Sequence, residues 1–141
     1  MIVGDICGRE PISMAPGAGL VDAAQKMRAH HVGFLVVTGD GRPVGAPVGV
    51  LTDRDLVVEV VSRNVGPTSV TVADAMTRDP LVIGSGARPE DALRQMRAFG
   101  VRRAPVVGES GGLVGVLSLD DLLDWLASAL ADAAGLVRHE Q

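Results

Sequence analysis

Slid along itself by 69 positions, the chain meets its own image: residues 5 to 38 fall on residues 74 to 107 without a gap. Asp5, Arg9, Pro11, Gly17 and Ala18 land on Asp74, Arg78, Pro80, Gly86 and Ala87. Asp22, Ala23, Met27, Arg28, Ala29, Val32 and Val37 land on Asp91, Ala92, Met96, Arg97, Ala98, Val101 and Val106. Further on the offset falls to 66, Gly49 meeting Gly115, so the first copy carries three extra residues near Val44-Gly45-Ala46-Pro47. This register identifies a tandem duplication, and a period so long is a whole small domain, not a solenoid turn. A chain of 141 residues suits two small halves that share a core.

Each copy reads alike. A short lead (Asp5-Ile6-Cys7 or Asp74-Ala75-Met76) precedes a proline and an apolar run, Pro11 to Met14 or Pro80 to Ile83, expected to form a short strand. An amphipathic helix follows. In the second copy Pro89 suits its first position, Glu90 and Asp91 favour its first turn, and Gly100 stops it. Ala92, Leu93, Met96 and Phe99 form the stripe expected to be buried, and Leu20, Ala23, Ala24 and Met27 form its counterpart. Two strands come next, Phe34 to Thr38 with Val48 to Thr52, and Ala104 to Val107 with Leu113 to Ser118. Gly39-Asp40-Gly41 and Gly108 to Gly112 are their turns. A second helix closes each half, Asp53 to Ser62 and Leu119 to about Ala134. The boundaries that follow are 3–64 for the first repeat, 65–72 for a linker, 73–130 for the second and 131–141 for a helical extension or tail.

The last strand of each half runs into its helix through one pattern. Gly49-Val50-Leu51-Thr52-Asp53-Arg54-Asp55 returns as Gly115-Val116-Leu117-Ser118-Leu119-Asp120-Asp121. A hydroxyl followed three residues later by an acid is a capping box, in which the hydroxyl accepts from an orphan backbone N–H and the acid reaches back. The same groups stand beside the free N–H donors of a helix start, a place that favours an anion. There an aspartate can accept from a pair of ribose hydroxyls while the Thr or Ser donates to phosphate, base or sugar.

Charge and composition remove other classes. A net charge of −4 and few aromatic residues argue against a general nucleic-acid binder, which needs a basic face and stacking platforms. Cys7 is the only cysteine, so no intrachain disulfide or cysteine-rich metal site can form, and a reducing cytoplasm fits. No signal peptide is evident at the N-terminus, and Leu122 to Val137, apolar but carrying Asp124 and Asp132, is too short to span a bilayer. No membrane insertion is expected.

Two copies of a strand-helix-strand-strand-helix unit, each ending in Gly-apolar-apolar-(Thr/Ser)-x-x-Asp, resemble a tandem pair of cystathionine-β-synthase-type (CBS) domains. The stretches Gly49 to Leu56 and Gly100 to Val107 carry the likeness, which covers roughly residues 3 to 130. The resemblance implies an α/β (α+β) fold of two β-α-β-β-α repeats packed sheet to sheet about a pseudo-twofold axis, with two clefts between them. It implies a regulatory, non-enzymatic module whose clefts bind adenosine-type ligands: AMP, ADP, ATP or S-adenosylmethionine, with Mg²⁺ only through a bound nucleotide. Carried over by motif, Asp55 and Asp121 would hold ribose hydroxyls, Thr52 and Ser118 would bond phosphate or sugar, and Val50 and Val116 would wall the adenine. Arg54 would either screen a phosphate or point into water. Arg102 and Arg103 stand where the family often places phosphate-binding residues, and their repeat equivalents are Gly33 and Phe34. Thr52 and Asp55 with Arg102 and Arg103 are therefore expected to form the better phosphate site, leaving the Ser118 and Asp121 cleft to a less charged ligand or none.

Three other motifs have simpler readings. Gly108-Glu109-Ser110-Gly111-Gly112 matches a nucleophile elbow, but that motif needs a strand-to-helix turn and here strands are expected on both sides. His30 and His31 end a helix, where they favour its dipole, and lack a third metal ligand in view. Trp125 lies with Leu122, Leu123 and Leu126 as core or interface, and Leu130, Ala133, Ala134, Leu136 and Val137 continue an apolar face. Such a face calls for a partner. The resemblance makes that a homodimer, with an enzyme or transporter regulated in trans; a module that dimerises or docks without any nucleotide is the alternative.

Overall fold

The computed structural model describes residues 1–41 and 43–140. The first copy supplies α1 (Val3–Ile6), β1 (Ser13–Met14), α2 (Leu20–His30), β2 (Phe34–Thr38), β3 (Pro47–Thr52) and α3 (Asp53–Leu56). The second supplies α4 (Val72–Ala75), β4 (Thr77–Arg78), β5 (Ile83–Gly84), α5 (Pro89–Phe99), β6 (Arg103–Val107), β7 (Leu113–Ser118) and α6 (Leu119–Glu140). The result is the mixed α/β arrangement of two sheets with helices that the repeat implies. In each, a parallel pair (β1 with β2, β5 with β6) adjoins an antiparallel hairpin (β2 with β3, β6 with β7).

Alternation along the strands makes two cores. Leu35, Val37 and Leu51 point to the helix side, where they meet Leu20, Ala23 and Met27 of α2. Ala104, Val106 and Leu117 do the same for Ala92 and Met96 of α5, with Leu122 and the half-buried Trp125 of α6. Val36 and Pro105, which the repeat makes equivalent, belong to neither core yet are fully buried. They lie on the opposite faces, where the halves meet.

Each lead belongs to the other half's core. Val3 and Cys7 are buried in the second core, and Val72 and Ala75 in the first. β4 extends the first sheet beside β3, Gly49 opposite Arg78 and Val50 opposite Thr77. Reciprocally Gly8 bridges Val116, each N–H donating to the other's carbonyl at 3.0 Å. This crossing accounts for the glycine that opens each corner pattern. A Cβ on Gly49 would lie 2.5 Å from Met76 Sδ, and one on Gly115 would lie 2.8 Å from Cys7 Sγ and collide with the Gly8 carbonyl.

Several elements differ from expectation. β1 and β5 begin later than Pro11 and Pro80, whose missing N–H groups give no ladder bond. Ala24 is exposed at the edge of the stripe fixed by Leu20, Ala23 and Met27, and Phe99 is exposed in the last turn of α5, before Gly100 reverses the chain at φ 68°. The helix expected over Asp53 to Ser62 is α only to Leu56 and widens to a π turn over Val57–Val61, where Ser62 N–H reaches Val57 O at 2.8 Å. α6 runs past Ala134 to Glu140; Gln141, the last residue of the expected tail, lies outside the described residues. Among the described residues no helix is long and apolar enough to cross a membrane.

Candidate functional site

Both corners are capping boxes. Thr52 N–H donates to Asp55 Oδ2 at 2.8 Å and Asp55 N–H donates to Thr52 Oγ1 at 3.2 Å. Ser118 N–H donates to Asp121 Oδ2 at 2.9 Å and Asp121 N–H donates to Ser118 Oγ at 3.1 Å. The local reading of these residues is thus realised, and it leaves chemistry to spare. A hydroxyl that accepts keeps its O–H for donation, and a carboxylate bonded through one oxygen retains the other. All four side chains are half-buried, so the box aims a donor and an acceptor outward in fixed geometry.

Two cavities lie beside the corners, one between the halves and one within the second copy. The larger, about 280 Å³, takes one wall from Glu10, Pro11 and Ile12 and from His31, Val32, Gly33 and Phe34. Its other wall is Arg103 and Val116, with Gly8 of the exchanged lead. It abuts the first corner, since Phe34 is the strand partner of Thr52 and Asp53 N–H donates to Gly33 O at 3.0 Å. A Cβ on Gly33 would sit 2.5 Å from Asp53 Oδ2, so a larger residue there would push the Asp53 carboxylate aside. The second cavity, about 220 Å³, is a cup of Arg102, Arg103, Ser118, Leu119 and Asp120.

Arg103 lines both cavities, and its Cζ stands 6.0 Å from the centroid of the Phe34 ring, within cation–π reach. The structure therefore brings Arg103 to the cleft beside the first corner, and Arg102 with Ser118 to the cup at the second. Thr52 and Asp55 adjoin the first cleft without lining it, and Val50 is half-buried opposite Val36 and Thr77. Arg54 is exposed. Asp121 lines a separate recess with Met1, Ile6, Asp124 and Trp125. Burial raises the Cys7 thiol above its ordinary value, the Asp121 charge adds to this, and Arg9 opposes it.

Sequence reasoning did not single out Phe34, Glu10, His31, Ile12 and Val32 as cleft residues. One signal was available: Phe34, an aromatic in a chain nearly without them, is the repeat equivalent of Arg103, and equivalent positions near a twofold axis meet. Among the described residues no group of three or more His, Cys, Asp or Glu side chains is placed to hold a metal ion.

Comparison with known proteins adds the following. A family model described as CBS domain matches residues 3–62 and 72–128. An uncharacterised protein of Methanopyrus kandleri is 32% identical over 121 residues, 86% of this chain and 60% of that protein. Hypoxic response protein 1 of Mycobacterium tuberculosis is 32% identical over 103 residues, 73% of this chain and 69% of that protein. The crystal structure of Hypoxic Response Protein I with two coordinated zinc ions superposes with a TM-score of 0.76 at 29% identity, covering 88% of this chain and 98% of that one. The crystal structure of CBSX2 in complex with AMP gives a TM-score of 0.74 at 28% identity, covering 91% and 97%. This chain spans 22% of an inosine-5'-monophosphate dehydrogenase of Korarchaeum cryptofilum, to which it is 32% identical over 114 residues.

Proposed function

The chain belongs to the CBS-domain family as a tandem pair, and from that premise we propose that it is a non-catalytic regulatory module binding an adenosine-type ligand where its two copies meet. One observation carries the reading: Arg103 of the second copy closes a cleft whose other wall is the first copy, beside a corner with a spare hydroxyl donor and a spare carboxylate oxygen. The AMP complex of CBSX2, a neighbour of the same fold, supports it.

In this arrangement the base lies against Ile12, Val32 and Val116, and Asp55 takes the ribose hydroxyls with Thr52 donating to sugar or phosphate. The phosphates run toward Arg103 and the cup where Arg102 and the Ser118 hydroxyl wait. A Mg²⁺ ion would come with a polyphosphate, held by the nucleotide and not by a protein cage. Ligand contacts from both walls favour one spacing of the halves, and only such differential affinity transmits a signal to a second copy or to a regulated enzyme or transporter. A reducing cytoplasm suits the single free thiol.

Replacing Arg103→Ala tests the phosphate role by calorimetry. ADP and ATP affinity should fall about tenfold, the scale of one charge-assisted hydrogen bond, while adenosine changes by less than about twofold. Equal losses for both reject it. The exposed apolar length of α6 favours a second reading, a ligand-free interaction module. A thermal-shift panel separates the two, because a ligand bound only by the folded state raises the melting temperature. No response to any adenosine compound would favour the second.

A further inference from the structure

The three extra residues of the first hairpin and the glycine pair that ends the second play no part in the cleft, yet they meet in the fold. Both hairpins are closed by one kind of bond: Gly39 N–H donates to Ala46 O at 3.1 Å and Gly108 N–H donates to Gly112 O at 3.0 Å. Ala46 and Gly112 are therefore equivalent, and the extra length lies between Asp40 and Gly45. That length crosses to the other half. Gly45 turns the chain at φ 73°, and its carbonyl accepts from Leu113 N–H at 3.0 Å. A Cβ on Gly111 would lie 2.7 Å from Pro43 Cγ, and one on Gly112 would lie 2.8 Å from Val44 O. Gly111 is also needed for its turn at φ 86°. Gly112 is outside the left-handed region and its equivalent Ala46 carries a Cβ, so what keeps Gly112 bare is the neighbouring half.

This contact stands at the end of the interface away from the cleft. β2 and β6 start at Phe34 and Arg103, beside the cleft, and run to Thr38 and Val107, where the hairpins begin. Between them lie Val36 and Pro105, buried where the halves meet. At ~3.3 Å per residue, roughly 13 Å of strand separates the two ends. At the hairpin end backbone is bonded to backbone across the halves. At the cleft end the contact is Arg103 over the Phe34 ring, which a change of rotamer releases. With one end tied and the other adjustable, movement of one half against the other is rotation about the hairpins, largest at the cleft.

We propose that Pro43, Val44 and Gly45 clasp the second hairpin as the fixed end of a hinge between the halves, and so preset the width of the cleft. Only the last step rests on the functional reading, which gives that cleft to a nucleotide. The test is a chain lacking Pro43, Val44 and Gly45, whose first hairpin then has the length of the second; both cores lie outside the deletion. In a Cys7→Ala background, spin labels on Ala29→Cys and Ala98→Cys, exposed equivalents on α2 and α5, should give one narrow distance distribution with the clasp and a broad one without it. Gly112→Ala should lower the melting temperature by about 3 °C in the parent and leave the shortened chain unchanged, because the carbonyl it displaces is gone. AMP affinity should fall about tenfold on shortening, as when one arrangement in about ten remains competent. An unchanged distance distribution, or equal losses from Gly112→Ala in both chains, overturns the clasp. Equal AMP affinity beside a broadened distribution overturns the preset cleft. A parent that binds no AMP strikes the functional reading, while the labels and melting temperatures still decide the hinge.

Discussion

The first sheet has four strands and the second three, although the two halves are copies of one sequence. The difference lies in how each receives the lead of the other. Thr77 and Arg78 make a two-residue ladder with β3, whereas the first lead touches β7 through the single Gly8 and Val116 bridge. Under the first ladder lies Met76, a flexible side chain, against Gly49; under the second lie Cys7 and the Gly8 carbonyl against Gly115. The nearest neighbour of one glycine is thus a side chain that can move, and that of its twin is backbone that cannot. The duplication has kept the close approach and changed its tolerance.

The largest test of that contrast is one added methyl. Gly115→Ala should cost about 3 kcal/mol, the upper part of the overpacking range, since a Cβ there displaces the bridge itself. Gly49→Ala should cost about 1 kcal/mol, because Met76 can change rotamer although Thr77 O at 3.0 Å sets a limit. Urea denaturation of the two variants at one protein concentration measures the difference. Equal losses would mean that the crossings are equivalent in energy despite their different residues.

How much of this the sequence discloses depends on the range of the interaction. The helix signals at Pro89 and Gly100 and both capping boxes are local, set within three or four residues, and each appears in the structure. The exchange of leads is not local. Val3 and Val72 announce by their apolar nature that they are to be buried, but nothing in their spacing says in which copy. The same holds for the basic pair, since periodicity puts Arg103 at a strand start and only the packing of halves puts it over Phe34. The π turn at Val57–Val61 escaped for another reason: four valines around Glu59 satisfy α and π spacing alike.

The corners extend the comparison to binding. Asp55 belongs to the corner next to the 280 Å³ cleft shared by both halves, without lining it, while Asp121 opens on the recess crowded by Met1, Ile6 and Trp125. Asn at either position keeps one carbonyl oxygen for the N-cap amide, so the fold should lose well under the ~1 kcal/mol of a deleted cap. Asp55→Asn should weaken AMP about tenfold, as expected for a lost charged acceptor to a ribose hydroxyl, and Asp121→Asn less than about twofold. Calorimetry decides. A reversed order would move the principal site to the second corner, beside Arg102 and Ser118.

The smallest effect separates Cys7 from its counterpart Met76, which has nothing to titrate. Burial first, and the nearby Asp121 charge second, hold the folded thiol above its ordinary value of 9.0, with Arg9 acting against them. A group raised in this way contributes stability that is complete below the unfolded value and is lost as pH rises through the folded one. Stability should therefore be unaffected by this thiol up to about pH 8 and decline above pH 9, as the unfolded chain gains by ionising first. Cys7→Ala should shift stability at neutral pH through lost packing but flatten that alkaline decline. Denaturation profiles of the two chains across pH 8 to 10 read the slope. Parallel profiles would show that Cys7 ionises as freely in the folded chain as in the unfolded one.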